Sequence, residues 1–237
     1  TRNTKLGVIA ITLLSVAMPF TAKAQDKVEA SVGADFVSNY IWRGTDCGGV
    51  SIQPSMGVSY KGLSLTAWGS VGIDKEDARE IDLTLGYNTG GFSVSVTDYW
   101  FSYHKEDGGY TGDYFKYGAH STVHIFEATL GYDFGPLALS WNTYFAGDDY
   151  TKENGDRAYS TYVGISAPFK LGGLDWSAEV GLTPWEGAYA NKFNVTNLTL
   201  KAEKEIKFTN SFSLPTFAQV TFNPHTQGAY FVFGVSF

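Results

Sequence analysis

Twelve segments of this chain alternate apolar with polar or small side chains at every second residue, and the connections between them alternate short with long. Side chains on a strand point to opposite faces with period two, so each segment presents one apolar and one polar-leaning face. The segments are 28–36, 50–60, 63–73, 81–87, 92–101, 123–134, 137–145, 159–167, 174–182, 198–208, 212–222 and 229–237. Every second connection is short and mostly carries the turn chemistry of tight hairpins: 61–62, 88–91, 135–136, 169–173 and 209–211. The others, at 38–49, 74–80, 102–122, 146–158, 183–197 and 223–228, are mostly longer and more polar. A soluble sandwich has no reason to sort its loops in this way. An even strand count, with both ends on the short-turn side, is the arrangement of outer-membrane barrels. The expected fold is all-β: a transmembrane antiparallel up-and-down β-barrel of about 12 strands.

The two faces agree with that reading. Leu63, Leu65, Ala67, Val71 and Ile73 share one side of their segment, and Ser64, Thr66, Trp68 and Ser70 the other. Leu174, Trp176, Ala178, Val180 and Leu182 likewise oppose Asp175, Ser177, Glu179 and Thr183. The final segment sets Ala229, Phe231, Phe233, Val235 and Phe237 on one face and ends on an aromatic, as closing strands read by the outer-membrane assembly machinery do. Tyr60, Tyr87, Phe92, Tyr132, Phe134, Trp176, Phe208 and Phe212 lie near the short-turn ends of the apolar stripes, where an interfacial girdle would sit. Asp98 falls on an apolar face, and a bulge turning it inward is expected there. Glycines on the inward faces, such as Gly131, Gly181 and Gly234, leave room in the lumen.

Arg2 and Lys5 precede an apolar run over 6–20, and Ala22-Lys23-Ala24 supplies a small-x-small cleavage pattern. Residues 1–24 therefore read as a secretory signal peptide and 25–237 as the barrel, exported through the periplasm to the cell outer membrane. The run is too short to span a bilayer comfortably, and nothing later approaches the roughly 18 apolar residues that a transmembrane helix needs. Cleavage near Ala24 removes three bases and takes the formal charge from −7 to −10, which disfavours a nucleic-acid partner. The expected partners are a lipid bilayer, the assembly machinery and small hydrophilic solutes. Cys47 is the sole cysteine, which excludes an intrachain disulfide framework.

The stretch Asp35-Phe36-Val37-Ser38-Asn39-Tyr40-Ile41-Trp42-Arg43-Gly44, followed by a polar loop and Ile52-Gln53-Pro54-Ser55, resembles the opening of the TorF-type family of outer-membrane porins. That family carries an aromatic-Arg-Gly segment after its first strand and a Gln-Pro-bearing second strand. Family members usually have a shorter version, with valine or phenylalanine, where this chain has Tyr40 to Gly44. The resemblance implies a barrel and says little about the solute.

Arg43, at the top of a strand and followed by a glycine that lets the backbone turn inward, is placed to project into the pore. The alternative is a surface arginine paired with Asp35 or Asp46. Alternation assigns Glu29, Asp35, Asp82, Glu127, Asp133, Asp175, Glu179, Glu203 and Glu205 to the lumen, against Lys201 alone among bases. A ring of acids favours cations, so the expected function is a porin-like, cation-favouring channel for small hydrophilic solutes. The alternative is a closed-lumen structural or interaction barrel, braced by pairs of these acids with Lys201, Arg43 or Arg157, whose long loops bind a partner or surface polymer. His104, His120, His124 and His225 form no metal-ligand pattern, and adjacent His120-Ser121 would point to opposite faces of a strand. No enzyme activity, metal or cofactor is expected.

Overall fold

The structure, a computed structural model, describes residues 27–105, 109–209 and 212–237; the expected leader 1–24 lies outside them. Fourteen strands are present among these residues: β1 (Glu29–Val37), β2 (Tyr40–Trp42), β3 (Thr45–Gly48), β4 (Ser51–Tyr60), β5 (Leu63–Gly72), β6 (Arg79–Thr89) and β7 (Phe92–Ser102). Then come β8 (His124–Asp133), β9 (Ala138–Gly147), β10 (Thr161–Leu171), β11 (Leu174–Thr183), β12 (Asn194–Lys207), β13 (Ser213–Asn223) and β14 (Gly228–Ser236). Twelve of them, β1 and β4 to β14, close an antiparallel barrel in which each pairs with its sequence neighbour and β14 returns to β1. The closing seam runs through Asp35↔Ser236, Phe36↔Val235 and Val37↔Gly234. The twelve expected strands are all found, with ends displaced by a few residues.

Several short turns owe their tightness to backbone handedness. Lys61-Gly62 and Gly172-Gly173 have positive φ at both positions (50° and 87°, 61° and 78°), the pattern of a type I′ turn, whose twist matches that of the flanking strands.

The wall is sorted inside out relative to a water-soluble core. Val32, Leu65, Leu85, Leu130, Phe231 and Phe233 are exposed on the exterior. Ser64, Thr66, Thr97, Asn142, Thr199 and Gln219 are buried on the interior. Polar groups removed from water must find partners, and here they find one another across and along strands. Thr84 and Thr97 are 3.0 Å apart, Thr199 and Thr221 2.8 Å, and Gln219 donates to Thr221 at 2.9 Å. The aromatics placed at the short-turn ends, among them Tyr60, Tyr87, Phe92, Tyr132, Phe134, Phe208 and Phe212, are exposed on the outside.

Three features depart from the expectation. The connection 38–49 is not an open loop, because it contains the β2–β3 hairpin. One-residue bulges occur at the long-loop ends of β9 and β12, where the register skips Phe145 and Thr196. No bulge occurs at Asp98, which pairs in regular register with Leu83 and Phe126 and stays on the outer face. It needs no inward turn because His124 Nδ1 lies 2.7 Å from its Oδ1 and Tyr117 donates to its Oδ2 at 3.3 Å.

Candidate functional site: a plugged lumen

The β2–β3 hairpin is short, polar at its tip and unable to bury an apolar face of its own. Its two-residue turn is Arg43-Gly44, with φ of 51° and 80°, again the type I′ combination. Glycine accepts that conformation freely, whereas a residue with a Cβ, such as Arg43, is strained in the left-handed region and needs compensating contacts. The lumen supplies them. Arg43 Nη1 and Nη2 donate to the two carboxylate oxygens of Glu127 at 2.6 and 2.9 Å, and Nη1 also donates to Tyr189 Oη at 2.6 Å. The side chains of this pair are only 3% and 1% exposed. The planar fork of arginine matches a carboxylate bidentately and also stacks on rings. Trp42 and Tyr162 lie 4.3 and 4.8 Å from the guanidinium carbon.

Around this pair, Tyr99, Tyr144, Tyr162 and Tyr189 form a buried cluster with Trp42, Phe101 and Ile125 against it. Tyr99 donates to Glu127 Oε1 at 3.0 Å and Tyr189 to Tyr144 Oη at 3.1 Å. Burial alone would lower the pKa of the Arg43 guanidinium, but the adjacent Glu127 carboxylate outweighs it and the net direction is up. Tyr189 is pushed up to about 12, chiefly by burial, while Arg43 pulls the other way.

Two further elements hold the plug in place. The segment between β11 and β12 hooks over the rim, with Trp185 packed outside against Trp141 at 5.9 Å and Tyr189 packed inside. The bulge at Thr196 seats the hairpin tip: a methyl group at Gly44 would lie 1.9 Å from the Thr196 carbonyl oxygen, so only glycine fits. Asn223 Nδ2 donates to the Gly44 carbonyl at 3.0 Å. At its base the hairpin buries Ile41 with Val37 and Val232. The glycines expected to leave room are filled: Tyr162 Oη lies 1.9 Å from where a Gly181 methyl would stand, and the Phe217 ring lies 2.2 Å from one at Gly234.

The residues assigned to the lumen separate by height. Arg43 and Glu127 meet in the plug; the alternative partners for Arg43, Asp35 and Asp46, are not its partners. Asp82 is buried beside Glu80, where Asp82 Oδ1 has no hydrogen-bond partner among the described residues. Its opposite neighbour Trp68 packs tilted against Tyr40, with ring centroids 5.5 Å apart. Glu179 accepts from Tyr162 Oη at 2.5 Å and from Asn197 Nδ2 at 3.0 Å. Lys201 is buried, 2.5 Å from Glu203 and 4.3 Å from the Phe217 ring. Asp35, well up β1 opposite Gln53, is half-buried, while Glu29, Asp133, Asp175 and Glu205, nearer the short-turn rim, are exposed. Asp175 pairs there with Lys170 at 2.5 Å, Asp133 accepts from the Gly135 amide at 2.7 Å, and Glu205 accepts from Ser213. Alternation finds the side of the wall and not the height along it.

Trp42, Tyr99, Tyr144, Tyr162, Tyr189, Glu80 and Asn197 are site residues that the sequence reading passed over. The available signals were the aromatic-Arg-Gly turn itself and strand starts earlier than expected, since β6 begins at Arg79 and β12 at Asn194. Cys47, on β3, has its thiol pushed up by burial and by the Glu80 and Asp46 carboxylates. Among the described residues no group of three His, Cys, Asp or Glu side chains is arranged to hold a metal ion.

No protein-family model matches this chain, and no curated protein matches it. Among solved structures it is similar to CdiB from Acinetobacter baumannii, at 13% identity and a TM-score of 0.41. The match covers 90% of this chain and 60% of that one.

Proposed function

We propose that the protein is an outer-membrane barrel whose lumen is shut at the long-loop end by its own β2–β3 hairpin, and that small hydrophilic solutes pass only when this plug is displaced. The observation that carries the reading is the buried, bidentate Arg43–Glu127 pair inside a cage of tyrosines. In a water-filled passage these side chains would be wet. The exposed apolar exterior over a polar interior supports the membrane location. The segment that resembles the TorF-type porins is the one that makes the plug.

A polar plug is chemically distinct from a permanently filled core. Replacing a buried ion pair by packed apolar residues is often neutral or stabilising, so such a pair is a poor choice for stability alone and a good one for a defined, breakable register. Below the plug, Ser31, Gly33, Ser55, Ser93, Ser95 and Gly131 are half-buried, a lining of small side chains towards the short-turn end. If the hairpin leaves, Arg43 leaves with it, and Glu80, Asp82, Glu127 and Glu179 remain against Lys201. The opened passage therefore favours cations.

The test is ionic current across a planar bilayer. Intact protein is expected to be silent at moderate voltage, and a variant lacking residues 40–48 to give discrete, cation-selective steps. Steps from the intact protein would replace this reading with an open channel. Silence from both would leave a closed-lumen barrel that works through its loops.

A further inference from the structure

The long connection between β7 and β8 does not stand clear of the barrel: its second half lies back against the outer wall. His124, at the start of β8, is fully buried although it points outward, because this segment covers it. Its Nε2 donates to the Tyr114 carbonyl at 2.7 Å and its Nδ1 faces Asp98 at 2.7 Å. The Tyr117 ring lies 4.2 Å from the imidazole, and Tyr114 meets Trp100 edge-on at 5.3 Å. Asp98 and His124 would be stranded on a lipid-facing wall without this cover, since interior charge in an apolar medium needs partners. Their position therefore marks the upper limit of the apolar band.

At this level the segment turns the Phe115 ring away from the barrel, while Tyr117 lies flat on the wall with one side open. Phe115 is 90% exposed and Tyr117 48%. The rings form a chain down the wall: Phe115 to Tyr114 at 5.1 Å, Tyr114 to His124 at 5.3 Å, Tyr117 to Phe126 at 6.4 Å and Phe126 to Phe145 at 6.4 Å. Phe145 is 44% exposed and belongs to the exterior apolar band. The covering segment is thus continuous with that band, and Lys116 stands exposed between the two outermost aromatics. A projecting apolar ring beside tyrosines and a neighbouring lysine suits the boundary between headgroups and acyl chains.

We propose that residues 113–117 are an interfacial strap, held on the wall by the His124–Asp98 contact, that seats Phe115 in the lipid leaflet at the long-loop rim and fixes how deeply the barrel sits. This inference rests on the membrane reading given above. The experiment replaces Cys47 with serine and places one cysteine at a time at Phe115, at Leu85 on the outer wall, or at Asn154 in another long loop. Each carries a nitroxide label, in vesicles of phosphatidylethanolamine and phosphatidylglycerol. Collision with oxygen relative to a water-soluble nickel complex reports depth. The Phe115 label is expected to show a ratio several-fold above the Asn154 label and below the Leu85 label. Adding His124→Ala is expected to bring the Phe115 ratio down towards that of Asn154, while heat-modifiable migration confirms that the barrel is intact. A Phe115 label as open to nickel as Asn154, with Leu85 in lipid, overturns the strap and leaves the aromatics as a contact for another protein. A Leu85 label open to nickel overturns the membrane reading itself, and this inference with it.

Discussion

Breaking the Arg43–Glu127 pair from one side tests the plug most directly. Arg43→Met keeps much of the side-chain volume but leaves the Glu127 carboxylate almost fully buried, with Tyr99 at 3.0 Å and Thr129 at 3.4 Å as its remaining donors. Removing one partner of a buried pair typically costs about 3–5 kcal/mol, because the other charge stays desolvated. At about 1.4 kcal/mol per factor of ten, the docked hairpin should lose roughly a hundredfold to a few thousandfold in population. The hairpin can swing out and hydrate Glu127, so its own docking free energy caps the effect. Cys47 supplies the assay, since it rides on the hairpin, is the chain's only thiol and is held away from its thiolate form by burial and the Glu80 and Asp46 carboxylates. The thiolate is the reactive species, so undocking should raise the alkylation rate by a comparable factor. Arg43→Met combined with Glu127→Leu removes the stranded charge as well and should bring the rate back to within about tenfold of the native protein. A native-like rate in the single variant, or a double variant equal to the product of the two singles, would refute the coupling.

Gly44→Ala should undock the hairpin as Arg43→Met does, because a methyl group meets the Thr196 carbonyl at 1.9 Å and the φ of 80° is strained for alanine; heat-modifiable migration should stay native. Tyr189 gives a pH dependence. Burial pushes its hydroxyl up to about 12 from the ordinary tyrosine value of about 10, so its contribution to docking is fully present below pH 10 and lost as pH rises towards 12, and Tyr189→Phe should abolish that step in bilayer current. Gly181→Ala should displace the Tyr162 ring and weaken its bonds to Glu179 and Asn197, read as a downward shift in the unfolding midpoint in detergent. Asp98→Asn should loosen the cover over β7 and β8 and speed tryptic cleavage after Lys116 without raising current.

The barrel was legible because its signal is local. A strand's two faces meet different surroundings, so the alternation of Leu63 to Ser70 or Ala229 to Phe237 states the element and its sidedness without reference to any distant residue. Turn chemistry did the same for Lys61-Gly62, and placed the turn between β10 and β11 within 169–173, where it closes at Gly172-Gly173. The plug was not legible, although Arg43 could be singled out, because its partners are set by height and by contacts across the lumen. Glu127 lies 84 residues away from Arg43 and Tyr189 146 residues away. Asp82 and Asp133 share inward parity on their strands, yet one is buried at the plug and the other exposed at the rim. Asp98 is the same case on the outer face, where alternation leaves it and where a covering segment, not the expected bulge, satisfies its carboxylate.

The sequence by itself determined which residues form the wall and, Asp98 apart, which way each faces, because that follows from period two and the contrast between its two sides. Tertiary structure alone decided that the wall encloses a plug. Only closure brings Arg43, Glu127 and Tyr189 within hydrogen-bond distance, and only there does a strained Arg-Gly turn find the contacts that keep it in place.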